Sequence, residues 1–467
     1  MAPPLLFRLN YDIVTPGYSF KDENQMSGKK LVLAILFLLI AVGLFLQPAH
    51  FLEPDEWAYY FSAKHFQKGK FQITEEEYQR IQDETRERAR EIGGSHFTQY
   101  RKMSGGIRVT EKPPGYIFLL AFFDFLNVPL LLNILAAGLT VLVLYYCGTI
   151  LFDEKTGFLA ALFYLFTPLS LISCYRAYLA DFAASSFLAC GIFLCLAAYH
   201  HATGDEGKKP HLFYLFGGMA LGLSLFIRLF NLLPIVPLLC VLTFHWVRSW
   251  RNGRKIGAAK EVLAFLPGPA LFLCGFFLYN HFMFGAPLTL SYAAGPTPTK
   301  WSGQGFAFEM LFSDGNISEA LLVCLRNLVT YPQGMLTALP LILFAIPALV
   351  APAKDLRRPV YIVLAGWTLL VFGLFIQTVP TSLAYYLLWT RQYLQALGAL
   401  AVLSAVFLRP LPARAGYAAA GFIAFFGLAA LFFYLCKIGV DPFGLGLLDF
   451  MDRYPGIWAG PGIFGSR

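Results

Sequence analysis

Charge is scarce in this chain. Of its 467 residues only 14% are Asp, Glu, Lys or Arg, while 57% are hydrophobic and 16% aromatic. Nor is there strand alternation over roughly ten residues, which excludes a transmembrane barrel. The sequence also has no His-x-x-x-His pair, phosphate-binding glycine loop, nucleotide fingerprint or nucleophile elbow, so no cytosolic nucleotide-sugar site is visible. Cys147, Cys190, Cys195, Cys240, Cys274, Cys324 and Cys436 sit in or beside apolar runs, and Cys174 near the end of one. None has metal-ligand or redox spacing, and they read as small inert hydrophobes. No internal repeat and no separate soluble domain stand out.

What is present is a succession of apolar stretches of about 17 to 25 residues, the length of helix that crosses about 30 Å of hydrocarbon. The sequence predicts an all-α, polytopic transmembrane bundle. Candidate spans are roughly 30–47, 128–150, 157–175, 180–200, 211–227, 229–248, 261–281, 333–352, 360–378, 388–408 and 415–437. The first follows Lys29 and Lys30 and reads as a retained span, because no small-residue cleavage site follows it. Tyr116 to Leu126 is apolar but short, and the basic residues decide how it is counted. Taken as non-crossing, it leaves Lys208 and Lys209, Arg248 to Lys260, Lys354 to Arg358, and Arg409 and Arg414 on the cytoplasmic side with Lys29 and Lys30. Eleven spans are therefore expected, with the amino terminus inside and the loops 48–112 and 282–332 outside. A net charge of +8 confined to such short loops encodes orientation rather than a nucleic-acid partner. Residues 1–440 form one membrane unit on this reading, and 441–467 a short outer tail.

The outer loops carry the polar residues. Pro54 can open a helix with Asp55 and Glu56 in its first turn, and Trp57, Tyr59 and Tyr60 follow at helical spacing to about Gln67. Thr74 with Glu75, Glu76 and Glu77 opens a second, charged helix that reads most simply as a solvated lid. Glu111-Lys112-Pro113-Pro114-Gly115-Tyr116 stands where the chain returns to the membrane, with Lys112 at phosphate-headgroup depth. Asp181 begins a strongly apolar span, five residues after Arg176. Arg228 lies between two spans and Arg391 opens another. Arginine in a span costs about 2.5–3.5 kcal/mol on insertion scales, so it serves a partner, a cavity or an anionic group.

Each feature has a bland reading as well: a helix cap for Asp55 and Glu56, an interface anchor for Lys112 and Tyr116, a structural ion pair for Arg176 and Asp181. Converging on one face, they suit transfer from a lipid-linked phosphate. Cations would hold the phosphate and a carboxylate would take the proton of an incoming hydroxyl. A lipid or glycolipid transporter is the rival reading, and a structural scaffold the third.

At these residues the chain resembles the polytopic C-superfamily glycosyltransferases, in particular the protein O-mannosyltransferases and the aminoarabinose transferase that modifies lipid A. The resemblance is carried by Pro54-Asp55-Glu56, Glu111-Lys112-Pro113 with Gly115-Tyr116, Ala180-Asp181, and Arg228 before a Leu/Pro run. It covers residues 40 to about 240 well, and the rest only in pieces such as Tyr279-Asn280 and Arg391-Gln392-Tyr393-Leu394. It implies a sugar joined to a polyprenyl phosphate and transferred on the outer face to a lipid, glycan or protein acceptor; the compact chain without a retention signal favours a bacterial inner membrane over that of an archaeon or the endoplasmic reticulum. Asp55, Glu56, Glu111 and Asp181 are then the candidate catalytic residues, with Asp55 the base. Lys112, Arg176, Arg228 and Arg391 would meet the donor phosphate, and Tyr59, Tyr116, Tyr178 and Tyr393 would line the substrate. Asp55, Glu111 and Asp181 would be the ligands of a divalent cation, a cofactor on which the superfamily varies. The charged insertion at 74–108 departs from the family pattern and bears on the acceptor.

Overall fold

The computed structural model describes residues 30–35, 37, 38, 54–92, 99–204, 210–289, 339–350, 358–375 and 391–437. Of the expected first span, 30–35, 37 and 38 are seen and are helical. Most of the loop 282–332 and the tail 441–467 lie outside the described residues.

The protein is an integral membrane protein built of helices. Seven helices among the described residues are long and apolar enough to cross a membrane, or eight if one bent pair is a single span. In that pair, α5 (Glu154–Phe166) and α6 (Pro168–Tyr175) meet at 57°. Pro168 explains the break, since its ring cannot continue the hydrogen-bond ladder. The others are α4 (Pro129–Leu151), α7 (Ala180–Thr203), α8 (Pro210–Ile227), α9 (Leu232–Arg251) with the 3-10 turn before it, α10 (Lys255–Phe265) running on into α11 (Pro267–Phe284), α14 (Leu394–Leu408) with its leading 3-10 turn, and α15 (Ala413–Lys437). α12 (Ile342–Val350) and α13 (Arg358–Phe375) are not among the seven. α3 (Pro114–Phe125), the segment counted as non-crossing, has 12 residues; at 1.5 Å per residue it reaches about 18 Å, short of the hydrocarbon thickness.

α7 is the centre of the bundle. Its residues Phe182, Ala183, Leu188, Ile192, Phe193 and Leu196 have no exposed surface. Its small residues let neighbouring helices approach closely, as membrane interfaces require. Cys147, Cys174, Cys190 and Cys195 are buried free thiols among them.

The all-α expectation needs one correction. The loop after the first span folds as a small α+β layer, in which α1 (Pro54–Gln67) and α2 (Glu75–Ile92) accompany a three-stranded antiparallel sheet. Its strands are β1 (Gln72–Thr74), β2 (Tyr100–Lys102) and β3 (Ile107–Thr110), in the order β1-β3-β2. Strands of three and four residues are too short to show alternation in a sequence, and charged neighbours hide them further. Trp57, Ala58, Ile73, Tyr78, Ile81 and Tyr100 form a separate buried cluster that fastens α1 to this sheet. Thr74 caps α2, its hydroxyl accepting from the Glu77 N–H at 3.1 Å.

Candidate active site

Asp55 lies in the first turn of α1, where the helix dipole favours a carboxylate. Three residues distant in sequence close on it. Lys112 Nζ is 2.9 Å from Oδ1, Arg391 donates from Nη2 to Oδ2 at 2.9 Å, and Gln99 donates from Nε2 to Oδ1 at 2.5 Å. Burial opposes ionisation of this carboxyl, but Lys112 and then Arg391, with the hydrogen bonds from Lys112 and Gln99, hold it well below the usual range. Asp55 is therefore a carboxylate gripped by cations.

The cluster extends to Asp181 in the first turn of α7. Arg228 pairs with Asp181 Oδ1, and Arg391 Nε stands 3.7 Å from Oδ2, so Arg391 lies between the two aspartates. Each member is placed by local structure. Arg228 follows the end of α8 in a turn stapled to α7. There, Ser224 Oγ donates to the Ala184 carbonyl at 3.0 Å, and Asn231 Nδ2 donates to the same carbonyl at 3.1 Å. Lys112 precedes α3, whose entry depends on Gly115. A Cβ at that position would stand 2.6 Å from the backbone carbon of Phe226, so only glycine lets α3 begin against the residues that lead into Arg228. Arg391 opens the turn before α14, which is tied to α13 by Trp367 Nε1 donating to the Gln395 carbonyl at 2.6 Å and by Phe372 stacked on Tyr393.

Of the other residues singled out in the sequence, Tyr59 touches this cluster and the acids and Arg176 are paired elsewhere. Glu56 and Arg176 face each other in a buried two-pronged pair, with Arg176 Nε 3.0 Å from Oε1 and Nη2 2.9 Å from Oε2. Glu111 accepts from Arg101 Nε at 2.8 Å. Tyr116 is fully buried, its hydroxyl donating to the Ala177 carbonyl at 2.6 Å, while Asn133 Nδ2 donates to the Arg176 carbonyl at 2.9 Å. Together these bonds fix the bend between α6 and α7 that carries Asp181. Tyr59 packs edge-on against Tyr116 and lies under Lys112, whose Nζ is 5.6 Å from its ring centre. Tyr178 stands edge-on to Tyr60, and Tyr393 is buried.

A divalent cation does not fit this arrangement. The Arg391 guanidinium already occupies the position between Asp55 and Asp181 that such an ion would take, and Glu111 faces Arg101. Among the described residues no three His, Cys, Asp or Glu side chains are grouped to hold a metal.

Gln99 was not foreseen. It is held by the Glu111 N–H, which donates to its carbonyl at 3.2 Å next to the Tyr100 and Thr110 pair of the sheet. Its side-chain Oε1 is buried and has no hydrogen-bond partner among the described residues. Such an orphan acceptor costs about 1–3 kcal/mol.

No protein-family model and no curated protein sequence matches the chain. Solved structures do. ArnT from Cupriavidus metallidurans, bound to undecaprenyl phosphate, superposes with a TM-score of 0.54 at 15% identity, over 93% of this chain and 69% of its own. The apo state of the same protein gives 0.54 at 15% identity, over 92% and 68%. The Archaeoglobus fulgidus oligosaccharyltransferase in complex with zinc and sulfate gives 0.50 at 14% identity, over 93% of this chain and 57% of its own. The chain shares its fold with these membrane proteins. This chain thus spans a little over half the length of the archaeal protein.

Proposed function

We propose that the protein transfers a sugar from a polyprenyl-phosphate donor to an acceptor at the outer face of the membrane, by an inverting mechanism with Asp55 as base. The observation that carries this reading is the cluster of Lys112, Arg228 and Arg391 around Asp55 and Asp181. These five groups carry one net positive charge, the complement of the single negative charge of a sugar phosphodiester. The resemblance to ArnT, seen with undecaprenyl phosphate bound, supports the donor class.

The resting geometry also bears on how the base works. While Lys112 and Arg391 hold Asp55, its carboxylate is a poor base, because its affinity for a proton is low. A donor phosphate draws both cations toward its own oxygens, and Asp55, still buried, becomes a stronger base. The acceptor hydroxyl then gives its proton to Asp55 and its oxygen bonds to the anomeric carbon. The bond from that carbon to the phosphate oxygen breaks on the opposite face, with its electron pair leaving on the polyprenyl phosphate. Lys112, Arg228 and Arg391 stabilise the extra charge on the leaving group.

Radiolabelled polyprenyl-phosphate sugars, offered with lipid and glycan acceptors to the purified protein and to Asp55→Asn, test the reading. Label reaching an acceptor only with the unaltered protein is expected. Folded, donor-binding protein that moves no label would favour the transporter.

A further inference from the structure

We propose that Gln99 selects the acceptor: with its amide nitrogen turned to Asp55, its Oε1 accepts a hydrogen bond from the hydroxyl beside the attacking one, so that the acceptor is the vicinal diol of a sugar. The inference rests on the glycosyltransfer reading and deepens it.

The orientation of the amide is dictated by chemistry. An ionised carboxylate only accepts hydrogen bonds, so the nitrogen of Gln99 must face Asp55 Oδ1 and the oxygen must face away. That oxygen is buried and has no donor among the described residues. The sheet holds the Gln99 backbone through the Glu111 N–H, so the side chain is presented from a fixed strand end. The insertion at 74–108 thereby places a neutral hydrogen-bond acceptor one amide's width from the base.

Proton bookkeeping then narrows the substrate. The attacking hydroxyl has one proton, and it goes to Asp55 as the oxygen bonds to the anomeric carbon and the phosphate departs. Gln99 Oε1 must take its hydrogen bond from another group beside that hydroxyl. Two acceptors side by side complement two adjacent O–H donors, the pattern of neighbouring hydroxyls on a sugar ring. A phosphate acceptor brings no second proton and sets its own charge against Asp55, while a serine or threonine side chain brings one hydroxyl only.

The test uses the full-length protein in detergent, a radiolabelled undecaprenyl-phosphate sugar it accepts, and octyl glycosides as acceptors beside their singly deoxygenated analogues. For the unaltered protein, removing the hydroxyl next to the attacked one should raise the acceptor KM about tenfold, the value of one buried hydrogen bond. Gln99→Leu also removes the hydrogen bond to Asp55 and should slow both acceptors, but the diol should lose about tenfold more than the deoxy acceptor, so that the preference between them disappears. Equal losses for diol and deoxy acceptors overturn the inference. So does transfer to a threonine peptide or a phosphate as efficient as to the diol. Should Gln99→Leu not fold, the diol and deoxy comparison on the unaltered protein decides alone, and no preference there overturns the proposal. Failure of the parent reading looks different: the unaltered protein then transfers from no donor to any acceptor.

Discussion

Glu56 grips Arg176 with both carboxylate oxygens, at 3.0 and 2.9 Å, one residue along α1 from Asp55. The two side chains retain 4% and 8% of their exposure. Adjacent acids in one helical turn are thereby turned to different partners, one to the bend ahead of α7 and one to the cation cluster.

Removing one partner of that pair leaves a buried charge unmatched, which costs about 3–5 kcal/mol. Glu56→Ala and Arg176→Ala should each lower the melting temperature in detergent clearly. The combined Glu56→Leu, Arg176→Met protein should recover much of the loss. If the single variants melt like the unaltered protein, the pair does not fix the bend.

Arg391 makes charge-assisted bonds worth about 1.5–3 kcal/mol each. Arg391→Ala should reduce kcat/KM for the donor by about 10- to 100-fold. Arg391→Lys should recover part of this, because one ammonium cannot reach both aspartates as a guanidinium does. Steady-state kinetics against donor concentration would show it.

The acid limb of the pH profile should differ between two kinetic constants. In the free protein Asp55 is held below the usual carboxylate range by Lys112 and Arg391, after burial is outweighed. On the proposed mechanism those cations move to the donor phosphate, and the carboxyl rises out of its depressed range because burial is no longer outweighed. The acid limb of kcat should therefore fall at higher pH than that of kcat/KM. Coincident limbs would mean that the cations never leave Asp55.

Glu75 reports on the sheet. Hydrogen bonds from Arg108 and then Gln79 lower its pKa from 4.5 to about 2. A depressed folded pKa contributes stability above the unfolded value, lost as pH falls through the folded one. Protease resistance of the 74–110 segment should thus decline between pH 4.5 and about 2, and Glu75→Gln should flatten that decline.

Gly115→Ala should overpack the entry of α3, where the new methyl meets the Phe226 backbone at 2.6 Å. Such insertions cost about 1–3 kcal/mol. Donor affinity should fall with stability, since Lys112 and the Arg228 turn are pushed apart.

Much of this was visible in the chain before folding. In a sequence with so little charge, Asp55, Lys112, Asp181, Arg228 and Arg391 are conspicuous at the ends of apolar runs. Helix lengths were legible because hydrocarbon thickness sets them. The pairing of Glu56 with Arg176, 120 residues apart, was not legible, because a tertiary contact leaves no local periodicity. Gln99 was hidden for another reason. A neutral amide within a charged insertion carries no compositional signal, and its importance appears only when strand pairing sets it beside Asp55.

Arg391 and Asp55 are separated by 336 residues. During synthesis the acidic end of α1 and the start of α7 emerge long before the turn that supplies Arg391. A nascent chain therefore exposes two aspartates whose shared cation has yet to be made, and the cluster closes only when α14 enters the bundle. On the proposed function, a truncated or half-inserted chain lacks one of the groups that would hold a lipid phosphate.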